Sequence, residues 1–185
     1  MPTALVILAP GQEEIETTAA IDILRRGKVE VTVAGLEGTD AVVCSRNVSI
    51  VPDESLESAA SKGPYDMIVL PGGMGGAKAN AASSAVKSLL AEQEKADRYI
   101  ALICAGPLSL ISHGIGKGKK VTSHPCIKDD LIKAEYEYSE DRVVVDGKLI
   151  TSRGPGSAIE WGLALVEQLV GKETADEVRA PLIML

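Results

Sequence analysis

The chain has 185 residues, 45% of them hydrophobic but only 3% aromatic, with no Phe and a net charge of −7. That length supplies one ordinary core without disulfide or metal staples, and Val, Ile, Leu and Ala must build it, as suits a buried parallel sheet. The acidic balance argues against a nucleic-acid surface or an anionic membrane. The short cluster Lys117-Gly118-Lys119-Lys120, broken by glycine, reads as a solvated turn.

Met1-Pro2-Thr3 leads straight into the aliphatic run Leu5–Ala9, a first strand rather than a targeting segment, and no run is long enough to span a bilayer. A helix follows over Glu14–Arg26, then a strand over Val29–Leu36. The short runs Ala41–Cys44 and Val48–Val51 read as a hairpin at one sheet edge. Strands at Met67–Leu70 and Tyr99–Ile103 flank a helix over Ser84–Glu94, and a short helix spans Pro107–Ser112. Arg142–Val145 and Leu149–Thr151 surround Asp146-Gly147, a strong hairpin signal. Helices over Ser157–Val170 and Glu173–Val178 close the chain. The apolar tail Ala180–Leu185 is left to pack either on its own core or on a partner. Strands alternating with helices predict one doubly wound α/β domain over residues 1–185, with its ligand crevice at the carboxyl ends of the strands.

Three loops lie at those ends: Pro10–Glu16, Pro71–Gly76 and the turn at Cys104. The last is the most telling. Ile100-Ala101-Leu102-Ile103 runs into Cys104, and Ala105-Gly106-Pro107 then opens a helix, the cysteine counterpart of a strand–nucleophile–helix elbow. The helix dipole is expected to favour thiolate over thiol at that point. A core cysteine is the alternative.

On the first helix Glu14, Thr18, Asp22 and Arg25 form one stripe, expected to face solvent. Glu16 shares its stripe with Ala20 and Ile23, both apolar. A carboxyl at the head of a buried face should have a raised pKa and so be able to hold a proton and pass it on. Glu13 and Glu14 fit better as first-turn charges serving the helix dipole.

Gly72-Gly73 follows a strand, but no GxGxxG fits, because Lys78 stands where the third glycine would be, and no phosphate-cradling loop occurs elsewhere. The pair reads either as a tight turn or as a close backbone approach with N–H donors for an oxyanion. His113 ends the short helix after Cys104. His124, where a short strand meets a proline-marked loop, is the stronger site candidate of the two histidines. His124 and Cys126 are too few for a zinc site. The three cysteines, Cys44, Cys104 and Cys126, are odd in number and irregular in spacing, which points to a reducing compartment.

These motifs resemble the ThiJ/PfpI superfamily, in its Parkinsonism-associated deglycase branch, over nearly the whole chain. The likeness runs through Ala4–Ala9, Glu13–Thr17, Val31–Leu36, Gly63–Asp66, Val69–Gly73, Ile103–Pro107, His124-Pro125 and Thr151–Gly156. It implies a flavodoxin-like sandwich of the class I glutamine amidotransferase type, in the cytoplasm or nucleus and usually a homodimer. Cys104 would be the nucleophile, Glu16 its protonated partner, His124 would lie near the sulfur, and Gly73 and Ala105 would give backbone N–H donors.

The activity implied is that of a cofactor-free, metal-free glyoxalase turning methylglyoxal or glyoxal into lactate or glycolate, with deglycation of early glycated amines by the same first steps. A redox sensor or chaperone-like protein acting through oxidised Cys104 is the alternative. Ala105 stands where protease-like branches carry histidine, which disfavours a Cys-His-acid hydrolase. Val51 stands where close relatives tend to have a further cysteine, and Cys126 is not typical of the branch.

Overall fold

A computed structural model describes residues 1–184; Leu185, the last of the apolar tail, lies outside the described residues. The elements in order are β1 (Thr3–Leu8), α1 (Glu14–Arg26), β2 (Glu30–Gly35), β3 (Val42–Val43), β4 (Ser49–Ile50), β5 (Glu54–Ser55), α2 (Leu56–Ser61) and β6 (Met67–Leu70). There follow α3 (Met74–Ala82), α4 (Ser84–Lys95), β7 (Tyr99–Ile103), α5 (Leu108–His113), β8 (Lys120–Val121) and α6 (Lys128–Lys133). Then come β9 (Glu137–Tyr138), β10 (Val143–Asp146), β11 (Leu149–Ser152), α7 (Ala158–Val170) and α8 (Lys172–Arg179).

Seven strands form the central sheet in the order β10-β11-β7-β6-β1-β2-β5, parallel throughout except where β10 returns along β11. Because both faces are covered, the strands read as continuous aliphatic runs whose alternate residues serve two different cores. Ala4 and Val6 of β1, Met67 and Val69 of β6, and Ala101 and Ile103 of β7 pack with α1 and α7 around the buried Trp161. Leu5 and Ile7, Ile68 and Leu70, Ile100 and Leu102 point the other way, to Val86 and Leu90 of α4 and Leu110 of α5. The α/β expectation holds.

The differences lie at the edges. Ala41–Cys44 and Val48–Val51 do form a hairpin, β3–β4, but it is a separate two-stranded sheet; the edge of the main sheet is β5. The helices α2, α3 and α6 carry no clear sequence period. α3 starts inside the glycine run that reads as a loop, and its small residues Gly76 and Ala77 are buried by close approach rather than by bulk. In the tail, Leu182 and Met184 pack on the α1–α7 core and Ile183 is exposed. Among the described residues, no helix is long and apolar enough to cross a membrane.

Gly162 sets the approach of α7 to α1. A Cβ there would lie 2.9 Å from Ile23 Cβ and 3.1 Å from both its γ carbons. Alanine ordinarily favours a helix interior over glycine by about 1 kcal/mol. Here overpacking against the branched carbon of Ile23 outweighs it, at ~1–3 kcal/mol. Gly162→Ala is therefore expected to lower the midpoint of urea unfolding, whereas a helix-propensity effect alone would raise it.

Candidate active site

The strand order reverses between β1 and β6, and it is the loops after β1, β6 and β7 that meet there. The first turn of α1, after β1, carries Glu16, the loop after β6 delivers Gly72 and Gly73, and Cys104 directly follows β7. Gln12, which the sequence reading passed over, ties the first two loops together. Its buried amide donates to the Ile7 carbonyl (2.9 Å) and the Pro71 carbonyl (3.4 Å), and its oxygen accepts the Ala9 N–H (3.0 Å). Glu13 caps α1 by accepting the Glu16 N–H (2.8 Å), while its own N–H donates to the Gly72 carbonyl (3.0 Å).

Cys104 sits one residue past the strand at φ 62°, in the left-handed region that a non-glycine residue enters only under constraint. Two backbone bonds hold it. Its N–H donates to the Ser152 carbonyl and its carbonyl accepts the His124 N–H, each at 3.0 Å. The turn faces the sulfur to the backbone N–H groups of Gly73 and Ala105. The expected helix dipole is not the agent, because α5 begins only at Leu108 and is six residues long.

Glu16 is fully buried. Its Oε2 accepts the Gly72 N–H at 2.7 Å, Oε1 has no hydrogen-bond partner among the described residues, and the carboxyl meets the Cys104 side chain across Gly72. Both side chains press on Gly72. A Cβ there would lie 2.5 Å from Cys104 Cβ and 2.6 Å from Glu16 Oε2, so no larger residue fits.

Burial pushes Glu16 up to about 7, against the opposing pull of the Gly72 N–H and the Cys104 thiol. Burial, then the Glu16 carboxylate, pushes Cys104 up to about 12, opposed by the Gly73 and Ala105 N–H groups. This corrects the expectation of a thiolate lowered by its own surroundings. The two groups therefore do not ionise together: at most one negative charge resides on the pair. A carboxylate at Glu16 keeps the sulfur protonated. Once Glu16 is neutral, the repulsion is gone and its O–H becomes a donor toward the sulfur.

The structure brings together Cys104, Glu16, Gly73 and Ala105, but His124 only by its backbone. Its imidazole is exposed, and Nδ1 accepts the Cys126 N–H at 3.2 Å, which leaves the ring proton on Nε2. Among the described residues no hydrogen bond joins that ring to the sulfur. His113 is elsewhere, with Nε2 2.9 Å from the Asn80 carbonyl oxygen. Glu14 does not face solvent as its stripe suggests. It is buried under the β3–β4 hairpin, accepting the Ser45 hydroxyl and the Arg46 N–H, both at 2.6 Å. Among the described residues no group of three or more His, Cys, Asp or Glu side chains could hold a metal ion.

The model of the DJ-1/PfpI family matches residues 2–168. The chain is 53% identical over 182 residues to the Parkinson disease protein 7 homolog of Danio rerio, covering 98% of this chain and 96% of that one. It is 39% identical over 183 residues to the glutathione-independent glyoxalase DJR-1.2 of Caenorhabditis elegans, covering 98% and 96%. The crystal structure of Drosophila melanogaster DJ-1beta superposes with a TM-score of 0.96 at 51% identity, covering 100% of this chain and 98% of that one.

The raised pKa of Glu16 fixes the sign of a pH effect. Between 4.5 and about 7 the folded chain keeps a proton that the unfolded chain has lost, so stability falls as pH rises through that window. A neutral Gln keeps the acceptor for Gly72 and escapes the loss. Relative to the parent, Glu16→Gln is expected to gain stability from about pH 5 to about pH 8, by up to roughly 3 kcal/mol. Urea unfolding at the two pH values measures it, and a constant difference would place the Glu16 pKa in the ordinary range.

Proposed function

The chain belongs to the DJ-1/PfpI family, and we propose that within it the chain is a glutathione-independent glyoxalase converting methylglyoxal or glyoxal to lactate or glycolate. The reading rests on one observation: a buried carboxyl and a buried thiol meet across Gly72, where a Cβ would lie 2.6 Å from Glu16 Oε2 and 2.5 Å from Cys104 Cβ, with the Gly73 and Ala105 N–H groups facing the sulfur. That arrangement lets a nucleophile and a protonated acid arise together near neutral pH. The C. elegans relative named as a glutathione-independent glyoxalase supports it.

In this scheme the Cys104 thiol gives its proton to the Glu16 carboxylate as its sulfur adds to the aldehyde carbon, and the carbonyl oxygen takes that proton from Glu16, giving a hemithioacetal. Glu16, now a carboxylate, removes the proton from that carbon to form an enediol, and a proton returned to the neighbouring carbon leaves a thioester. Water releases the hydroxy acid and the free thiol. The steps amount to isomerisation plus hydration, so electrons balance without an added oxidant or reductant. His124 serves through its Nε2–H, helping the proton transfers from the rim. Deglycation of early glycated amines starts with the same attack and is part of the proposal. A cytoplasmic setting is supported by three unpaired cysteines.

The second reading, a redox sensor, is favoured by the same pair, since a protonated Glu16 would donate a hydrogen bond to a Cys104 sulfinate. Lactate formation by the purified, metal-stripped protein with no added thiol separates the two, and its absence leaves the sensor. Cys104→Ser is expected to abolish turnover with the fold retained, because a hydroxyl does not ionise in surroundings that only just suffice for a thiol. Glu16→Gln should still capture aldehyde reversibly but lose on the order of 10²–10⁴-fold in hydroxy-acid formation. Parental rates in either variant would remove that residue from the mechanism.

A homodimer is also proposed. Ile15 of α1 and Val43, Val48 and Val51 of the hairpin region are exposed apolar side chains, 46–69% accessible, on segments that the Gly11–Val43 and Glu14–Arg46 hydrogen bonds tie together. Sedimentation should give twice the chain mass at micromolar concentration, and Val51→Asp should shift it toward the monomer. A parental protein sedimenting as a monomer would exclude the dimer.

A further inference from the structure

Besides Glu16 Oε1, five buried side-chain polar atoms have no hydrogen-bond partner among the described residues: Thr122 Oγ1, Trp161 Nε1 and, on two neighbouring helices, Asn80 Nδ2, Asn80 Oδ1 and Ser109 Oγ. Asn80 is 1% exposed and Ser109 0%. They belong to α3 and α5, which pack directly on each other. The facing sides are identified by His113, whose Nε2 lies 2.9 Å from the Asn80 carbonyl oxygen. Ser109 precedes His113 by one helical turn, so both occupy the side of α5 turned toward α3. On α3, Asn80 follows Gly76 and Ala77 on the buried side.

A buried carboxamide and a buried hydroxyl left dry would each keep an uncompensated desolvation cost, and buried polar groups in folded proteins rarely do so. The chemistry of the groups specifies the occupant. Oδ1 needs a donor, Nδ2 needs an acceptor, and Oγ takes either, while neither side chain carries a charge to hold an ion. Water meets all of these demands, and internal water in folded proteins sits at such sites. We propose that Asn80 and Ser109 hold ordered water inside the α3–α5 interface and that this hydrated contact positions the N–H groups facing Cys104.

The second part follows from where the two helices begin. α3 is capped by Gly73, and α5 continues from the turn that contains Ala105. The N–H groups of those two residues face the sulfur from separate segments. Whatever sets the spacing between α3 and α5 therefore bears on the distance between the donors. Asn80 and Ser109 are positioning residues that do not touch the sulfur, whatever reaction the sulfur serves.

Water-to-protein NOE measurements on the nitrogen-15-labelled, unaltered protein test the first part without any variant. Cross-peaks from long-lived water to the Asn80 side-chain amide are expected; an amide bonded directly to the Ser109 hydroxyl with no water cross-peak would overturn the site. Asn80→Leu and Ser109→Ala, each leaving one group stranded, should lower Tm, and the double variant should recover toward the parent. For the second part, iodoacetamide alkylation of Cys104 at fixed pH is expected to slow about threefold or more in the single variants. Unchanged alkylation, with water present, would overturn the positioning role.

Discussion

The site depends on a buried acid and a buried thiol that cannot both be ionised. Glu16 and Cys104 arrive from different strand ends and meet across Gly72, where the absence of a Cβ lets them approach. Burial disfavours a charge on either, and their proximity disfavours a charge on both. A single negative charge is tolerated because three backbone N–H groups serve it, Gly72 at the carboxylate and Gly73 and Ala105 at the sulfur. The reactivity of the sulfur is thus a property of the pair.

Holding that pair takes backbone geometry more than side-chain bulk. Cys104 is kept in a left-handed conformation by bonds from both of its peptide groups, to Ser152 of β11 and to His124. Glu16 is kept in place by Glu13, which caps α1 and at the same time bonds the Gly72 carbonyl. Gln12 satisfies three backbone groups in a region where no water-facing alternative exists. Around these contacts the parallel sheet supplies rigidity, since β1, β6 and β7 are buried on both faces.

The loop system extends outward through Glu14. Its carboxylate, under the hairpin, organises Ser45 and Arg46, so the segment carrying Val43, Val48 and Val51 is anchored to the same helix that carries Glu16. Adjacent residues of one helix turn therefore have separate tasks: Glu13 caps, Glu14 holds the hairpin, and Glu16 meets the thiol. A regular helix presents successive residues about 100° apart, which is what separates them.

The α/β architecture was legible in the chain because buried parallel strands leave unbroken aliphatic runs, as in Leu5–Ala9 and Tyr99–Ile103, and because α1 and α7 carry an apolar stripe of helical period. Glu16 and Cys104 were legible for related reasons, one as a charge on an apolar stripe and the other at the end of an apolar strand. The helices α2, α3 and α6 were not, since small residues and short spans leave no period to read. Glu14 was misplaced because its stripe says nothing of a hairpin that folds over it from some thirty positions away in the chain. The ionisation of Cys104 differs from the sequence expectation because burial, and after it the Glu16 carboxylate, acts on the sulfur only in the folded packing. Which groups share a charge, and which backbone donors face it, are decided only where three strand ends converge, and local residue order does not encode that distance.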